Sequence, residues 1–426
     1  MGLLGCGTVG SGVLRLLAAR AEEAAARIGV PVVVERVLVR DGAKARASEL
    51  DPGRITLDPS AVVDDPAIAI VVEVMGGTGL AGELAARALA SGKALVTANK
   101  ALLAARGPEL LALARAHRVD LAFEAAVGGG IPIVRTLRDA LAGDRVTEIV
   151  GILNGTSNYV LSRMADAGAG FREALAEAQA LGYAEADPTL DVGGHDAAQK
   201  LLVLAMLAFG LPPPAEGVLV EGIDRVDAVD VAMAKRLGYA VKPLVVGRDR
   251  GDRVELRAHP ALVRTSSVFA NVSGVLNAVR LEGAAVGTSL LSGRGAGEGP
   301  TAVSVVADVL DVARGLVAGV PGLVTGLRPL EPRPLVEARS IVARHYVRLR
   351  VVDEPGVMAT VARAMADQRV SLSQIVQTEA KEGLADVVLV THAAPWGEVA
   401  AALEAIAEAG VLRAEAVVLR IEDEAR

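Results

Sequence analysis

The chain has 426 residues, of which 52% are hydrophobic and only 2% aromatic, and its formal net charge is -7. That length exceeds a single core and predicts two or three domains filled mainly by Ala, Val and Leu, while the acidic balance excludes a nucleic-acid footprint, which needs a basic patch. The single Cys6 excludes an intramolecular disulfide framework, and the lack of both an apolar run of bilayer length and a basic leader predicts a cytoplasmic protein with no membrane partner.

The chain opens on a short strand over residues 2–4 that runs into Gly5-Cys6-Gly7-Thr8-Val9-Gly10. A helix carrying Val13, Leu14, Leu16 and Leu17 follows, then a β-branched run from Val32 to Val39. Strand, G-x-G-x-x-G, helix and strand form the βαβ context of dinucleotide binding. The first glycine permits the tight turn, the second lets backbone approach a pyrophosphate, and the third lets helix and strand pack closely. The helix N-terminus then faces the phosphates. Cys6 reads as a small packing residue in this loop. The second strand ends in Arg40 and then Asp41. A guanidinium there pairs with a 2′-phosphate, so NADP is the expected cofactor; an inward Asp41 carboxylate would favour NAD instead.

Further strands are predicted at 68–74, 94–97 and 120–123, with helices at 79–91 and 101–117. This alternation predicts an α/β fold with a Rossmann-type doubly wound parallel sheet. Ligands gather at strand ends in such sheets, which singles out Gly76-Gly77-Thr78 and Asn99-Lys100. From about residue 131 the pattern becomes α+β, with a strand at 146–153, helices at 172–181 and 195–209, and β-branched runs at 241–246 and 253–257. A second glycine-rich loop, Ser292 to Thr301 with Gly297 inside it, opens a helix over 301–317. The start of that helix either returns to the nucleotide site or closes a structural turn. Pro321, Pro329, Pro332 and Pro334 mark a linker. Beyond it, strands at 345–352, 370–378, 385–391 and 415–421 alternate with helices at 357–368 and 395–409. That order, βαββαβ, is ferredoxin-like.

The chemistry concentrates in residues 178–200, AQALGYAEADPTLDVGGHDAAQK, where Glu185, Asp187, Asp191, Asp196 and Lys200 precede the apolar LLVLAMLAF. Charges in such company are paired or at work. Acyl-enzyme chemistry needs a thiol, and Cys6 lies in the phosphate loop. Zinc ligands are short, with one Cys and five scattered His (117, 195, 259, 345, 392), and no Tyr-x-x-x-Lys pair occurs. If a hydride moves, lysine is the best remaining proton donor. Asp196 and Lys200 stand i,i+4 on one helix face. Spacing alone reads as a surface ion pair; the apolar helix and the upstream acids point instead to a lysine out of water that passes a proton near neutrality. Its neighbouring carboxylates would orient it and hold a substrate ammonium. Lys100 reads equally as a solvated first-turn residue or a site residue, and His195 as structural.

On these residues the chain resembles the homoserine dehydrogenase family along nearly its whole length. The matching stretches are GLLGCGTVGSGV (2–13), VEVMGGT (72–78), VTANKALLA (96–104), FEAAVGGGIPIVRTLRDAL (123–141) and GILNGTSNYVL (151–161). Residues 178–200 match the family signature ending D-P-x2-D-x-x-G-x-D-x3-K, and the tail, with its Asp-x-Pro-Gly-Val turn, resembles a regulatory ACT domain. The resemblance implies reversible reduction of L-aspartate 4-semialdehyde to L-homoserine, in threonine and methionine synthesis. It implies Lys200 as proton donor with Asp196 its partner, Glu185 and Asp191 holding the amino acid, and Lys100 between cofactor and substrate. It also implies a sodium site, largely of backbone carbonyls, at Glu124, Val127, Gly129 and Ile131. The expected division is a cofactor domain over 1–130 with a return helix at 300–318, a catalytic and dimerisation domain over 131–320, a linker over 321–342 and an ACT domain over 343–426. A homodimer or higher homo-oligomer is expected, as is threonine as effector near Asp353 to Val357, with truncation near Pro334 leaving an active enzyme that ignores it. The competing reading, a ligand sensor of Rossmann and ACT domains without catalysis, is opposed by the Asp196/Lys200 pair.

Overall fold

The computed structural model describes residues 1–43, 50–323, 325, 328–378 and 383–423. These form two compact units. The first comprises Met1–Leu153, Gln199–Ala215 and Leu276–Arg333; the second comprises Asn154–Ala198, Glu216–Val275 and Pro334–Arg426. Residues 131–320 are thus shared between them. No helix among the described residues is long and apolar enough to cross a membrane.

The first unit is built on a parallel sheet of six strands: Gly2–Leu4, Arg36–Leu38, Ile55–Thr56, Ile70–Glu73, Ala94–Thr97 and Leu121–Ala122. Their order is 3-2-1-4-5-6, so the winding reverses beside the first strand and a crevice opens at its carboxyl end. Ile70–Glu73 and Ala94–Thr97 are buried at every position, as expected of strands covered by helices on both faces. Leu3, Val72 and Val96 pack with Val13 and Leu14 of the helix Thr8–Ala19 and with Val305 and Val309 of the helix Glu298–Val317. The two helices meet at Gly12, where a Cβ would stand 2.8 Å from the Glu298 side chain. That return helix starts three residues before the expected 301, because Pro300 fits a first turn where its missing N–H has no role. The second strand is shorter than the 32–39 run. Residues 32–35 lie extended beside the N-terminus instead, with Glu35 N donating to Met1 O at 2.9 Å. An antiparallel group of Val146–Ile152, Leu276–Gly283 and Gly287–Arg294 completes the unit.

In the second unit the C-terminal βαββαβ is present as Val342–Val352, Val357–Asp367, Leu372–Gln377, Leu384–Thr391, Trp396–Glu408 and Val417–Glu422. Its sheet runs fourth-first-third-second, and the fourth strand continues in parallel pairing onto Val254–Arg264, which pairs in turn with Tyr239–Asp249. One face packs Val347 and Leu349 against Val361 and Ile406 of the two helices; the other sends Tyr346, Val388 and Leu419 into a core with Val160, Leu161 and Val231. Charges seal the seam. Arg348 clasps the fully buried Asp230 through Nε at 2.6 Å and Nη2 at 2.9 Å, Tyr346 Oη donates to Asp230 at 2.9 Å, and Arg257 Nη1 donates to Glu422 at 2.6 Å. The tail is therefore integral to its unit. A cut near Pro334 would remove the partners of Asp230 and Arg257.

His345, fully buried in Val342–Val352, pairs in register with Arg420. Burial first, then the Arg420 and Arg257 charges, hold its pKa down at about 3, against 6.5 for a free imidazole. The folded state thus favours the neutral ring. The stability this brings is complete above the unfolded value of 6.5 and is lost as pH falls toward about 3. Denaturant unfolding should weaken across that window by about 1.4 kcal/mol per pH unit from this group, and His345→Gln should flatten the slope. Parallel pH profiles for both proteins would contradict it.

Candidate functional site

The glycine-rich loop leaves the first strand with Gly5 at φ +100°. Gly10 is forced by packing, since a Cβ there would lie 2.5 Å from Gly5 O, whereas Gly7 faces open space. Gly7 caps the helix Thr8–Ala19 with no side-chain hydrogen bond, so the first-turn N–H groups are presented to an anion. Cys6 is half-buried, its Sγ 3.8 Å from Ser11 Oγ, in keeping with a packing role. Val9 is half-buried, and Thr8 is exposed. Past the second strand Arg40 is exposed, and Asp41 Oδ1 accepts from Ala43 N at 2.8 Å.

Glu73 ends the fourth strand fully buried. Its Oε2 accepts from Thr97 Oγ1 at 2.6 Å, and its Oε1 from Met75 N at 2.8 Å and Gly76 N at 3.1 Å. Asn99 extends the web: its Oδ1 accepts from Leu102 N at 3.0 Å, and its Nδ2 donates to Gly77 O at 2.7 Å. One buried carboxylate thereby fixes the Gly76-Gly77-Thr78 turn and the start of the helix Lys100–His117. Thr78 is exposed and Lys100 half-buried at that rim.

Glu124 is also buried, and its two carboxylate oxygens accept from Val134 N at 3.0 Å and Arg135 N at 2.7 Å. Burial raises its pKa and pushes that of Asp308, which accepts from Glu124 N at 2.7 Å, up to about 7. The following turn closes on Gly128 and Gly129, at φ +75° and +54°. A Cβ on Gly129 would stand 2.6 Å from the backbone of Gly295, so this turn and the loop leading to Gly297 and the return helix are pressed together. Gly129 O accepts from Ser304 Oγ at 2.6 Å, and Ile131 O from Ile133 N at 2.7 Å. Val127 is buried beside them. Among the described residues, no group of three or more His, Cys, Asp or Glu side chains is placed to hold a metal ion.

Lys200, in the helix His195–Phe209, is 9% exposed, and its Nζ donates to Leu153 O at 2.7 Å. Within the second unit, Asn154 gathers the acids. Its Oδ1 caps the helix Gly155–Ala167 by accepting from Ser157 N at 2.7 Å, while its Nδ2 donates to Asp191 at 2.7 Å and Asp196 at 2.9 Å. Ser157 Oγ holds the Asp191 carbonyl at 2.9 Å. Of the predicted acids, Asp191 and Asp196 are thus brought together. Glu185 is exposed on its turn, and Asp187 is exposed and bonded to its neighbour Thr189.

Sequence reasoning missed Glu73, Thr97 and Asn154. Glu73 carried a signal, a lone carboxylate closing an apolar strand; Asn154 carried another, an amide three residues before Ser157 at a helix start.

The family model described as homoserine dehydrogenase matches residues 132–310, its NAD binding domain matches 5–124, and the ACT domain matches 345–408. The chain is 44% identical to a homoserine dehydrogenase of Pseudomonas aeruginosa over 92% of this chain and 91% of that protein, and 40% identical to that of Neisseria gonorrhoeae over 99% and 98%. The crystal structure of a homoserine dehydrogenase from Thiobacillus denitrificans superposes with a TM-score of 0.93 at 44% identity, covering 99% of this chain and 97% of that one. A hyperthermophilic archaeal homoserine dehydrogenase in complex with NADPH superposes with a TM-score of 0.63 at 27% identity, over 73% of this chain and 96% of that one.

Proposed function

The chain belongs to the homoserine dehydrogenase family, a family of NAD(P)-dependent oxidoreductases, and from that membership we propose that it interconverts L-homoserine and L-aspartate 4-semialdehyde in threonine and methionine synthesis. The observation that carries the chemistry is Lys200, an ammonium 9% exposed and held by the Leu153 carbonyl. A bound nicotinamide supplies the hydride acceptor or donor. In reduction, Lys200 Nζ gives its proton to the oxygen that becomes the alcohol; in oxidation it takes that proton back. Its positive charge also stabilises the developing alkoxide. Asp196, four residues before it, orients the ammonium, and Asp191 with Glu185 receives the substrate's amino group. Lys100, on a helix start fixed by Asn99, would lie between cofactor and substrate. Proximity would supply much of the rest once the site holds the aldehyde carbon beside a bound nicotinamide. Incubating the protein with L-homoserine and NADP should produce reduced cofactor in proportion to aldehyde. Absence of turnover with both NADP and NAD would reject the reading.

For the cofactor, the exposed Arg40 and the engagement of Asp41 with its own loop support NADP, in line with the NADPH-bound archaeal relative. The catalytic efficiency with NADPH should exceed that with NADH, and Arg40→Ala should lower the NADPH value about tenfold while sparing NADH. A wild type that prefers NADH would contradict this.

A sodium ion suits the donors of the 124–131 turn: hard backbone carbonyls of Val127, Gly129 and Ile131, with Glu124 supplying negative charge nearby. These residues would hold it, and its work there would be to brace the turn. Threonine is proposed to bind at Asp353 to Val357, where Gly356, at φ +96°, starts the helix Val357–Asp367 without a side-chain cap. A homodimer is supported by the strand Gly287–Arg294, which ends its sheet and exposes Leu290 alongside Val286 and Leu276.

A further inference from the structure

Two carboxylates that share a site repel each other unless a donor stands between them. In the second unit Asn154 is that donor. Its Nδ2 donates to Asp191 Oδ1 at 2.7 Å and to Asp196 Oδ2 at 2.9 Å, so one nitrogen bridges both acids with its two hydrogens. The other end of the amide is held as firmly: Oδ1 accepts from Ser157 N at 2.7 Å, and the residue is 3% exposed. The orientation of the amide follows from its partners. An ionised carboxylate only accepts and a backbone N–H only donates, so turning the amide over would break three hydrogen bonds at once.

The same helix start grips the acid-bearing segment twice more. Thr156 Oγ1 donates to Tyr183 O at 2.6 Å and Ser157 Oγ to Asp191 O at 2.9 Å, and both residues are buried. Asp191 is thereby held by its carbonyl and by its carboxylate. These bonds exceed what a helix cap requires. A cap needs an oxygen that accepts from a first-turn N–H, and Asn, Asp and Ser serve almost equally there. Of the three, only asparagine also carries an NH2 that can serve two carboxylates. The residue type therefore answers to Asp191 and Asp196 as well as to the helix.

We propose that Asn154 is a positioning residue for the reaction: a single amide sets the spacing and rotation of two carboxylates with distinct tasks. The role rests on the reaction proposed above, in which Asp191 receives the substrate's amino group and Asp196 orients Lys200. Asn154 acts through both acids and needs no contact of its own with substrate or cofactor. Its loss therefore enters at two points. A misplaced Asp191 weakens the binding of homoserine, and a misplaced Asp196 slows the chemical step.

Steady-state kinetics of Asn154→Ser and Asn154→Asp test this, because each keeps an oxygen for Ser157 N and removes both donated hydrogens. In Asn154→Ser, kcat/KM for L-homoserine should fall about 10²-fold. KM for homoserine should rise and kcat should drop, while KM for the cofactor and the melting temperature stay close to wild type. Asn154→Asp sets a third carboxylate against the other two and should lose more. A residue that only caps the helix predicts instead that both variants match the wild type and that Asn154→Ala alone suffers. Either variant decides by itself. Wild-type kcat/KM in a folded Asn154→Ser or Asn154→Asp would overturn the role and leave the proposed reaction standing; a wild type that does not turn over homoserine would overturn both.

Discussion

Lys200→Ala is expected to lower turnover of homoserine by about 10³-fold or more, because the alkoxide formed by hydride transfer then has no acid beside it. The loss should fall on kcat, since the lysine acts on charge that exists only in the transition state. Affinity for the nicotinamide cofactor, followed by fluorescence titration, should be unchanged. Lys200→Arg should not rescue the activity, because a guanidinium keeps its proton under all working conditions. Asp196→Ala should give a smaller deficit, since the role proposed for Asp196 is to orient the lysine. A Lys200→Ala protein that folds and turns over near the wild-type rate would remove Lys200 from the chemistry.

The second large effect concerns the tail. A chain ending at Arg333 is expected to be insoluble or unfolded. Three losses coincide. The strand Val254–Arg264 loses its parallel neighbour Val417–Glu422 and presents an open apolar edge. Asp230, fully buried, loses both bonds from Arg348 and the one from Tyr346. Arg257, fully buried, loses Glu422. Removing one partner of a buried pair costs about 3–5 kcal/mol, so two such losses approach the roughly 5–15 kcal/mol that holds a whole domain together. Expression followed by gel filtration and circular dichroism decides it. A soluble, cooperative and fully active truncation would show that the seam is dispensable.

What could be read from the chain beforehand follows a physical pattern. The glycine-rich loop was legible because each of its glycines answers a local demand: a left-handed turn at Gly5, open space at Gly7 and a close approach at Gly10. Asp196 and Lys200 were legible because i,i+4 spacing on an apolar helix is itself local. The βαββαβ order was legible from alternating patterns, but the pairing of its last strand with Val254–Arg264 was not. Register between strands far apart in sequence depends on which partner is available, and nothing along either strand encodes it. The same limit hid Asn154, whose grip on Asp191 and Asp196 exists only after the helix Gly155–Ala167 has docked against the 189–196 turn. It also hid the Asp230–Arg348 clasp, in which each residue alone reads as an ordinary surface charge.

The reaction proposed for this chain moves a hydride directly between the alcohol carbon of homoserine and a nicotinamide. Isotope transfer tests it most directly. L-homoserine carrying deuterium on its hydroxyl-bearing carbon would be incubated with the protein and NADP, and the reduced cofactor examined by mass spectrometry and proton NMR. One deuterium should appear on the nicotinamide ring, on a single face, in step with aldehyde formation, and Lys200→Ala should slow its arrival without changing its destination. Reduced cofactor that carries only protium while deuterium is released to water, or no cofactor reduction at all, would rule out direct hydride transfer.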